Sequence, residues 1–89
     1  MTSDSNSVDA KVRAILSDVL GVSRERSASF TAGTGLFGTL PELDSMAVAG
    51  LLTELEDRLG ISIEDDEVDG EMMETFGSLV AFCVTKASA

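Results

Sequence analysis

Residues 40–46, Leu-Pro-Glu-Leu-Asp-Ser-Met, mark the point at which a long glycine-containing segment becomes an amphipathic helix. Apolar residues then recur at i, i+4, i+7 and i+11 from Val48, which predicts a helix from Asp44 and Ser45 to about Leu59. Gly60 follows as a stop signal. An aspartate and a serine in this position are typical of a helix cap, so the sequence predicts a serine in the first helical turn.

Two further amphipathic helices are predicted on either side of this segment. The first covers about residues 7–20 with Ser7 as its cap, and the last covers about residues 76–86 after Thr75. Residues 21–43 carry no sustained period, and we expect a packed loop pinned to the core by the apolar side chains of Phe30, Leu36, Phe37, Leu40 and Leu43.

A short helix is predicted near residues 70–74. The expected fold class is therefore all-α, a small four-helix bundle of three longer helices and one short helix, with a long loop between the first two long helices. The expected organisation is a disordered tail at residues 1–6, one folded domain at 7–87 and a C-terminal tail at 88–89.

Length and composition exclude several classes of function. The 89 residues suffice for one domain, and 44% of them are hydrophobic, as in a globular protein. The net charge of −10 disfavours nucleic acid, anionic membrane surfaces and self-association, so we expect a monomer. The chain has no histidine and one cysteine, which excludes Ser-His and Cys-His pairs, and we expect no catalytic residue, no metal ligand and no enzyme. The first residues lack a signal-peptide pattern, and we expect a cytoplasmic protein.

Two other motifs in the sequence lack a feature that their usual function requires. The acidic run at residues 64–69 approaches a calcium loop, but the position of the bidentate glutamate falls on Phe76. Residues 33–38 match G-x-G-x-x-G, but no strand precedes them. We therefore expect a solvated acidic connector and a flexible loop.

Unlike these two motifs, Ser45 lies where a specific chemical modification is favoured. A phosphate attached to a serine in the first turn of a helix is stabilised by free backbone N–H groups and by the helix dipole. No histidine is available to activate the hydroxyl, so Ser45 is expected to be modified by another enzyme. Asp44 beside it would orient that enzyme or help to hold its metal.

At this point the chain resembles the acyl carrier proteins and their peptidyl carrier relatives over about residues 8–87. The features that carry the resemblance are the apolar first helix, the loop ending Leu43-Asp44-Ser45-Met46, the acidic helix over 51–59 and the stretch that opens the last helix, 75–80. The family motif is Asp-Ser-Leu, and Met46 replaces its leucine. The resemblance implies 4′-phosphopantetheine on Ser45, transferred from coenzyme A by a Mg²⁺-dependent phosphopantetheinyl transferase. The arm would carry acyl groups as thioesters between enzymes of fatty acid, polyketide or related acyl biosynthesis.

The charge distribution suggests where such enzymes dock. Twelve of the 16 acidic residues lie within residues 42–74, with Arg58 as the one basic residue there. We expect Glu54, Glu56 and Asp57 to meet basic patches on acyl-loading and acyl-transferring enzymes. The outward positions just after Ser45 lack acidic residues, unlike those of fatty-acid carriers, and residues 40–46 are similar to carriers of bacterial exopolysaccharide and exosortase systems.

The sequence does not determine which chemical group the arm carries. Candidate residues for an acyl pocket are apolar positions on and beyond the central helix: Val48, Leu52, Ile61 and Val68. Two alternatives remain: an aminoacyl or peptidyl carrier, and an acidic helical adaptor without a prosthetic group.

Overall fold

The computed structural model describes residues 4–88, and the side chains of residues 7–87. Four α-helices lie in this part of the chain: α1 at Asp4–Leu20, α2 at Arg24–Ala28, α3 at Ser45–Leu59 and α4 at Phe76–Ser88. A single 3₁₀ turn spans Asp65–Glu67. No β-strand occurs in residues 4–88, where Gly35 and Thr75 form one isolated bridge. The predicted all-α bundle of three longer helices and one short helix is confirmed.

The core lies between the three long helices, with α1 in contact with each of the other helices. One buried cluster joins residues from all three long helices and from the loops. Its fully covered side chains are Val12, Ile15, Leu16, Leu36, Leu51, Leu55, Leu79 and Cys83. No helix in the described residues is long and apolar enough to cross a membrane.

The ends of the chain differ from the prediction. Helix α1 begins at Asp4, so the predicted tail of residues 1–6 overlaps it, and Ser7 lies inside the helix instead of capping it. The apolar period begins at Val8, the first buried residue among the described side chains of α1, whereas the backbone is helical from Asp4. Ser88 likewise belongs to α4. The remaining predicted tail residues, 1–3 and 89, lie outside the described residues.

The short helix was predicted in the wrong place. Residues 70–74 form turns, because the carbonyl groups of Met73 and Glu74 accept hydrogen bonds from Phe37 and Leu36 across the molecule, at 2.9 and 2.8 Å. These two carbonyl groups therefore do not serve as acceptors for a helix in their own segment. The short helix is instead α2, five residues long, which Ser23 caps by accepting from the Arg26 N–H. Its sequence carries no apolar period that could have revealed it.

The long loop is held by backbone pairing with the segment that opens α4. Besides the two bonds at Leu36 and Phe37, Phe76 N–H donates to Thr34 O at 2.8 Å and Gly77 N–H donates to Ala32 O at 3.0 Å. Residues 33–38, with their misleading glycine pattern, thus run along the segment before α4. This pairing fixes the loop that leads into α3.

The glycine in the middle of α3, Gly50, is expected to lower the stability of the helix, and a substitution can test this. Gly50 is exposed, and a Cβ added there would meet only Val19 Cγ1, at 3.9 Å, which is ordinary van der Waals contact. We therefore expect Gly50→Ala to stabilise the protein by about 0.5–1 kcal/mol, because alanine loses less conformational entropy in a helix. Urea denaturation measures the change.

The control for this prediction is Gly60→Ala at the end of the same helix. Gly60 has φ of +64°, and its N–H caps the helix by donating to Glu56 O. Alanine is strained in that conformation, so this variant should lose stability by about 1 kcal/mol. Equal effects of the two substitutions would contradict the prediction.

Candidate functional site

Ser45 is the first residue of α3, and Asp44 is its N-cap. The Asp44 backbone is extended, and its Oδ1 accepts a hydrogen bond from Ala47 N–H at 2.8 Å, while Asp44 O accepts from Val48 N–H at 2.9 Å. The two remaining N–H groups of the first turn, those of Ser45 and Met46, have no acceptor among the described residues. This helix start therefore keeps two donors that face outward.

The surroundings of Ser45 fit a phosphodiester. The Ser45 side chain is exposed, and its hydroxyl makes no hydrogen bond with the described residues. A phosphate attached to it would lie at the positive end of a 15-residue helix, beside unpaired N–H groups. With no histidine in the chain, the site can accept and hold a group but has no base to activate the serine.

A groove runs along the loop that leads to Ser45. It has a volume of about 470 Å³ and is lined by residues 37–41 of the loop and by Leu43, Asp44 and Ser45. Met46, predicted to belong to the attachment motif, is 85% exposed immediately after the serine. Ser45 thus lines an open groove and is followed in the chain by an exposed apolar side chain.

A second, smaller depression lies beside the groove and meets it at Phe37. It has a volume of about 220 Å³ and is lined by Phe37, Val48, Val68, Asp69, Gly70 and Met73. Of the predicted acyl-pocket residues, the structure brings Val48 and Val68 together here. Leu52 and Ile61 do not line it and pack, half-buried, against the core.

Phe37 was predicted to pin the loop to the core, and that expectation is wrong for its side chain. The ring is 46% exposed, whereas the other four predicted pins, Phe30, Leu36, Leu40 and Leu43, are buried. Phe37 is the first residue of the turn that follows the buried Leu36, and its side chain stays at the surface. Sequence reasoning also missed Met73 as a lining residue, because its position depends on the turns at residues 70–74.

The three predicted docking residues on α3 have different surroundings. Glu54 pairs with Arg58 at 2.8 Å, and Arg58 in turn contacts Asp18 of α1 at 2.7 Å. Glu56 accepts a hydrogen bond from Ile63 N–H at 2.8 Å and so holds the segment after α3. Asp57 is exposed and makes no ion pair or hydrogen bond within the described residues.

Ion pairs lower the pKa of three acidic groups around the bundle. A hydrogen bond from Arg58 lowers the pKa of Asp18, one from Arg26 lowers that of Glu42, and one from Lys86 lowers that of Glu67. All three groups are accessible to solvent, so each pair adds little to stability. The Glu42 pair does connect α2 to the loop just before Asp44.

The chain's own thiol is unsuited to carrying cargo. Cys83 is buried on α4, and burial raises its pKa to about 12. It therefore stays protonated near neutral pH and is not a nucleophile. A thioester on this protein needs a thiol from another source.

The fold and the site together define a small helical carrier domain that presents an exposed serine at a helix start. Residues 10–83 match the phosphopantetheine attachment site family. A solved structure that is similar to the chain is a holo acyl carrier protein from Nitrosomonas europaea, determined by solution NMR. It is 45% identical with a TM-score of 0.82, over 92% of this chain and 96% of that one. A comparison with curated proteins gives no match.

The chain therefore belongs to the phosphopantetheine attachment site family, and its fold is that of an acyl carrier protein. It is a carrier and not an enzyme, and its cofactor is covalently attached 4′-phosphopantetheine. Its partners in general are a phosphopantetheinyl transferase and acyl-handling enzymes. The hypothesis of an adaptor without a prosthetic group is set aside by the family match.

Proposed function

We propose that Ser45 carries the 4′-phosphopantetheine arm. The observation that carries this proposal is the exposed Ser45 residue at the start of α3, beside two N–H groups that have no acceptor among the described residues. Asp44 holds the helix start in place and presents a carboxylate to the Mg²⁺-dependent transferase. Met46 offers that enzyme an exposed apolar contact beside the serine.

We further propose that the arm carries acyl groups, as thioesters, between enzymes of fatty acid, polyketide or related specialised acyl biosynthesis. The apolar depression lined by Val48 and Val68 supports an acyl cargo over an aminoacyl or peptidyl one, because a polar chain placed there would lose hydrogen bonds to water. Leu52 and Ile61 do not line this depression and pack against the core. The sequence of residues 40–46 favours a specialised system of the exopolysaccharide or exosortase type.

We propose that partner enzymes dock on the acidic residues of α3, Glu54, Glu56 and Asp57. Asp57 is available for a basic patch on a partner enzyme, while Glu54 and Glu56 contribute negative potential from positions where they also bind within the molecule. The protein is proposed to be a cytoplasmic monomer with several transient partners, and the net charge of −10 supports this by disfavouring self-association.

Removal of the Ser45 hydroxyl tests the attachment site. Wild-type protein incubated with coenzyme A, Mg²⁺ and a broad-specificity phosphopantetheinyl transferase should gain the mass of one phosphopantetheine. Ser45→Ala should gain nothing and keep its helical circular dichroism, because the hydroxyl makes no hydrogen bond within the part of the chain that the structure describes. Intact-mass spectrometry measures both.

A matched control is Ser23→Ala, which changes an exposed serine at the start of another helix. Ser23 caps α2 by accepting from Arg26 N–H at 3.0 Å, so its loss affects local stability but leaves attachment intact. A mass gain in Ser45→Ala would contradict the proposal. So would a Ser23→Ala variant that gains no mass while Ser45→Ala does.

A further inference from the structure

We propose that Arg26 and Glu42 are positioning residues for the attachment reaction, because their ion pair holds the turn before Ser45 against α2. The phosphopantetheinyl transferase thus meets the serine in a prepared orientation. The inference rests on the proposed attachment at Ser45. It concerns two residues that lie outside the serine motif and come from opposite ends of the long loop, 16 residues apart.

A β-turn leads directly into the attachment site. It runs from Leu40 to Leu43, whose N–H donates to Leu40 O at 3.0 Å. Pro41 is its second residue, where the fixed φ of proline suits a turn, and Glu42 is its third. Leu40 and Leu43 are buried, so both ends of the turn are anchored in the core. Of the four side chains, that of Glu42 is the one that can hold the outer part of the turn by a polar contact.

Arg26 supplies this contact from α2. Its Nη1 donates to Glu42 Oε2 at 2.5 Å, and its Nη2 donates to Oε1 in a longer bond of 3.4 Å. A two-point contact between a guanidinium and a carboxylate fixes direction as well as distance. The hydrogen bond from Arg26 also lowers the pKa of Glu42, so the carboxylate stays charged and paired at neutral pH.

Helix α2 is itself fixed, so it can support the turn. The Arg13 guanidinium of α1 donates to the carbonyl groups of Ser27 and Ala28 at 2.8 and 3.1 Å, and Ser27 is buried. Ser23 caps the helix by accepting from the Arg26 N–H. A line of contacts therefore runs from α1 through α2 to the turn that precedes the attachment site.

The transfer reaction depends on the position of the serine oxygen. The Ser45 oxygen forms a bond to the phosphorus that bears pantetheine in coenzyme A, the bond from that phosphorus to the bridging oxygen breaks, and adenosine 3′,5′-bisphosphate leaves. The serine proton passes to a base of the transferase. A carrier whose turn moves is in the reactive orientation only part of the time, so its apparent affinity for the transferase falls by that fraction. Loss of the ion pair is therefore expected to raise KM and to leave kcat unchanged.

The experiment measures KM and kcat for phosphopantetheine transfer to the full chain, with coenzyme A, Mg²⁺ and a broad-specificity transferase, by intact mass. Arg26→Ala and Glu42→Ala should each raise KM for the carrier about two- to fivefold, the range for an exposed ion pair, with kcat unchanged. Alanine favours a helix, so α2 should persist in Arg26→Ala. Exchange of the partners, Arg26→Glu together with Glu42→Arg, should bring KM below that of either single variant.

Two control variants make the same changes of charge on the same helix. Arg24→Ala removes an arginine whose side chain is 72% exposed and lies 3.6 Å from Asp18. Glu25→Ala removes an exposed carboxylate that has no ion pair among the described residues. Each control should change KM less than the Arg26 or Glu42 variant that alters the net charge in the same direction.

Amide hydrogen exchange gives a second readout at the site itself. The Leu43 N–H donates to Leu40 O, and the Ala47 N–H donates to Asp44 Oδ1. Both amides should exchange faster in the two variants of the ion pair than in their controls, whereas amides in the middle of α3 should not change. A general loss of stability would instead speed exchange at all of these positions.

The outcomes separate this inference from the function on which it rests. Failure of the wild type to gain mass would overturn attachment at Ser45. Normal transfer with a KM that falls or stays the same in Arg26→Ala would overturn the positioning role, because a Glu42 carboxylate that binds the transferase directly becomes more accessible without Arg26. Unchanged exchange at Leu43 and Ala47, or no recovery of KM in the exchanged pair, would also overturn it. Glu42→Gln replaces an alanine variant that loses its helical circular dichroism, and should raise KM in the same direction.

Discussion

Replacement of Leu36 by alanine is expected to lower the free energy of unfolding by about 3 kcal/mol, within the range for fully buried leucines. Leu36 is fully buried although it lies in the long loop, where it packs into the same cluster as residues of all three long helices. The substitution removes apolar contacts and leaves a cavity. For a domain whose total stability is about 5–15 kcal/mol, this is a large fraction.

The neighbouring residue provides the control. Phe37→Ala truncates a larger side chain in the same loop, but one that is 46% exposed, and should cost less than half as much as Leu36→Ala. Urea denaturation followed by circular dichroism measures both, with the slope of the transition expected to stay constant. A larger loss in Phe37→Ala would show that the ring, and not Leu36, anchors the loop.

The second large effect is expected at Gly77, where α4 begins against the long loop. A Cβ added at Gly77 would lie 2.8 Å from Ala32 O and 3.0 Å from Ala32 Cα, both backbone atoms that cannot rotate away. The close approach is also the one that allows Gly77 N–H to donate to Ala32 O at 3.0 Å. Gly77→Ala should therefore cost about 2 kcal/mol, since relief of the clash separates the loop from α4 and weakens this bond.

Gly70→Ala is the matched control for this substitution. Gly70 lies in the turns before α4, its φ is not positive and an added Cβ meets nothing within 4 Å. Alanine there should be neutral or stabilise the protein by up to about 1 kcal/mol, through a reduced entropy of the unfolded chain. The prediction fails if the two variants unfold at the same urea concentration.

The destabilising effects of Leu36→Ala and Gly77→Ala both bear on the attachment site, because the long loop leads directly into Ser45. Leu36 anchors the loop to the core, and the Ala32–Gly77 contact ties its first part to α4. The Arg13 guanidinium adds a third tie, since it donates to the carbonyls of Ser27 and Ala28 at the end of α2 and lies over the Phe76 ring. The position of the attachment residue thus depends on contacts far along the chain.

Prediction from sequence succeeded where the signal lies within one or two helical turns. The start of α3 follows from the Asp44 carboxylate, which reaches the Ala47 N–H three residues away. The cap of α4 follows in the same way, because Thr75 Oγ1 accepts from Ser78 N–H at 3.1 Å. The buried face of α3 was predicted only in part, since Leu55 of the predicted stripe is buried together with Leu51, whereas Val48, Leu52 and Leu59 are half-buried.

The errors arose where distant segments meet. Residues 70–74 were predicted as a short helix and form turns, because their carbonyls bind N–H groups that lie more than thirty residues earlier in the chain. Glu56 was predicted as a docking residue, and the sequence did not reveal that its carboxylate also accepts a hydrogen bond from Ile63 N–H beyond the helix end. Neither partner is visible in a local pattern.

The amino-acid sequence alone thus determined the start of α3 and the serine placed there, because caps and apolar periods act over a few residues, and its resemblance to the acyl carrier proteins indicated the class of the protein. The tertiary structure decided that Leu36 is buried while Phe37 is exposed, and that Val48 and Val68 share a pocket while Leu52 and Ile61 pack elsewhere. These outcomes depend on the pairing of residues 32–37 with residues 73–77. That pairing forms only when the helices pack and bring the two segments within hydrogen-bonding distance.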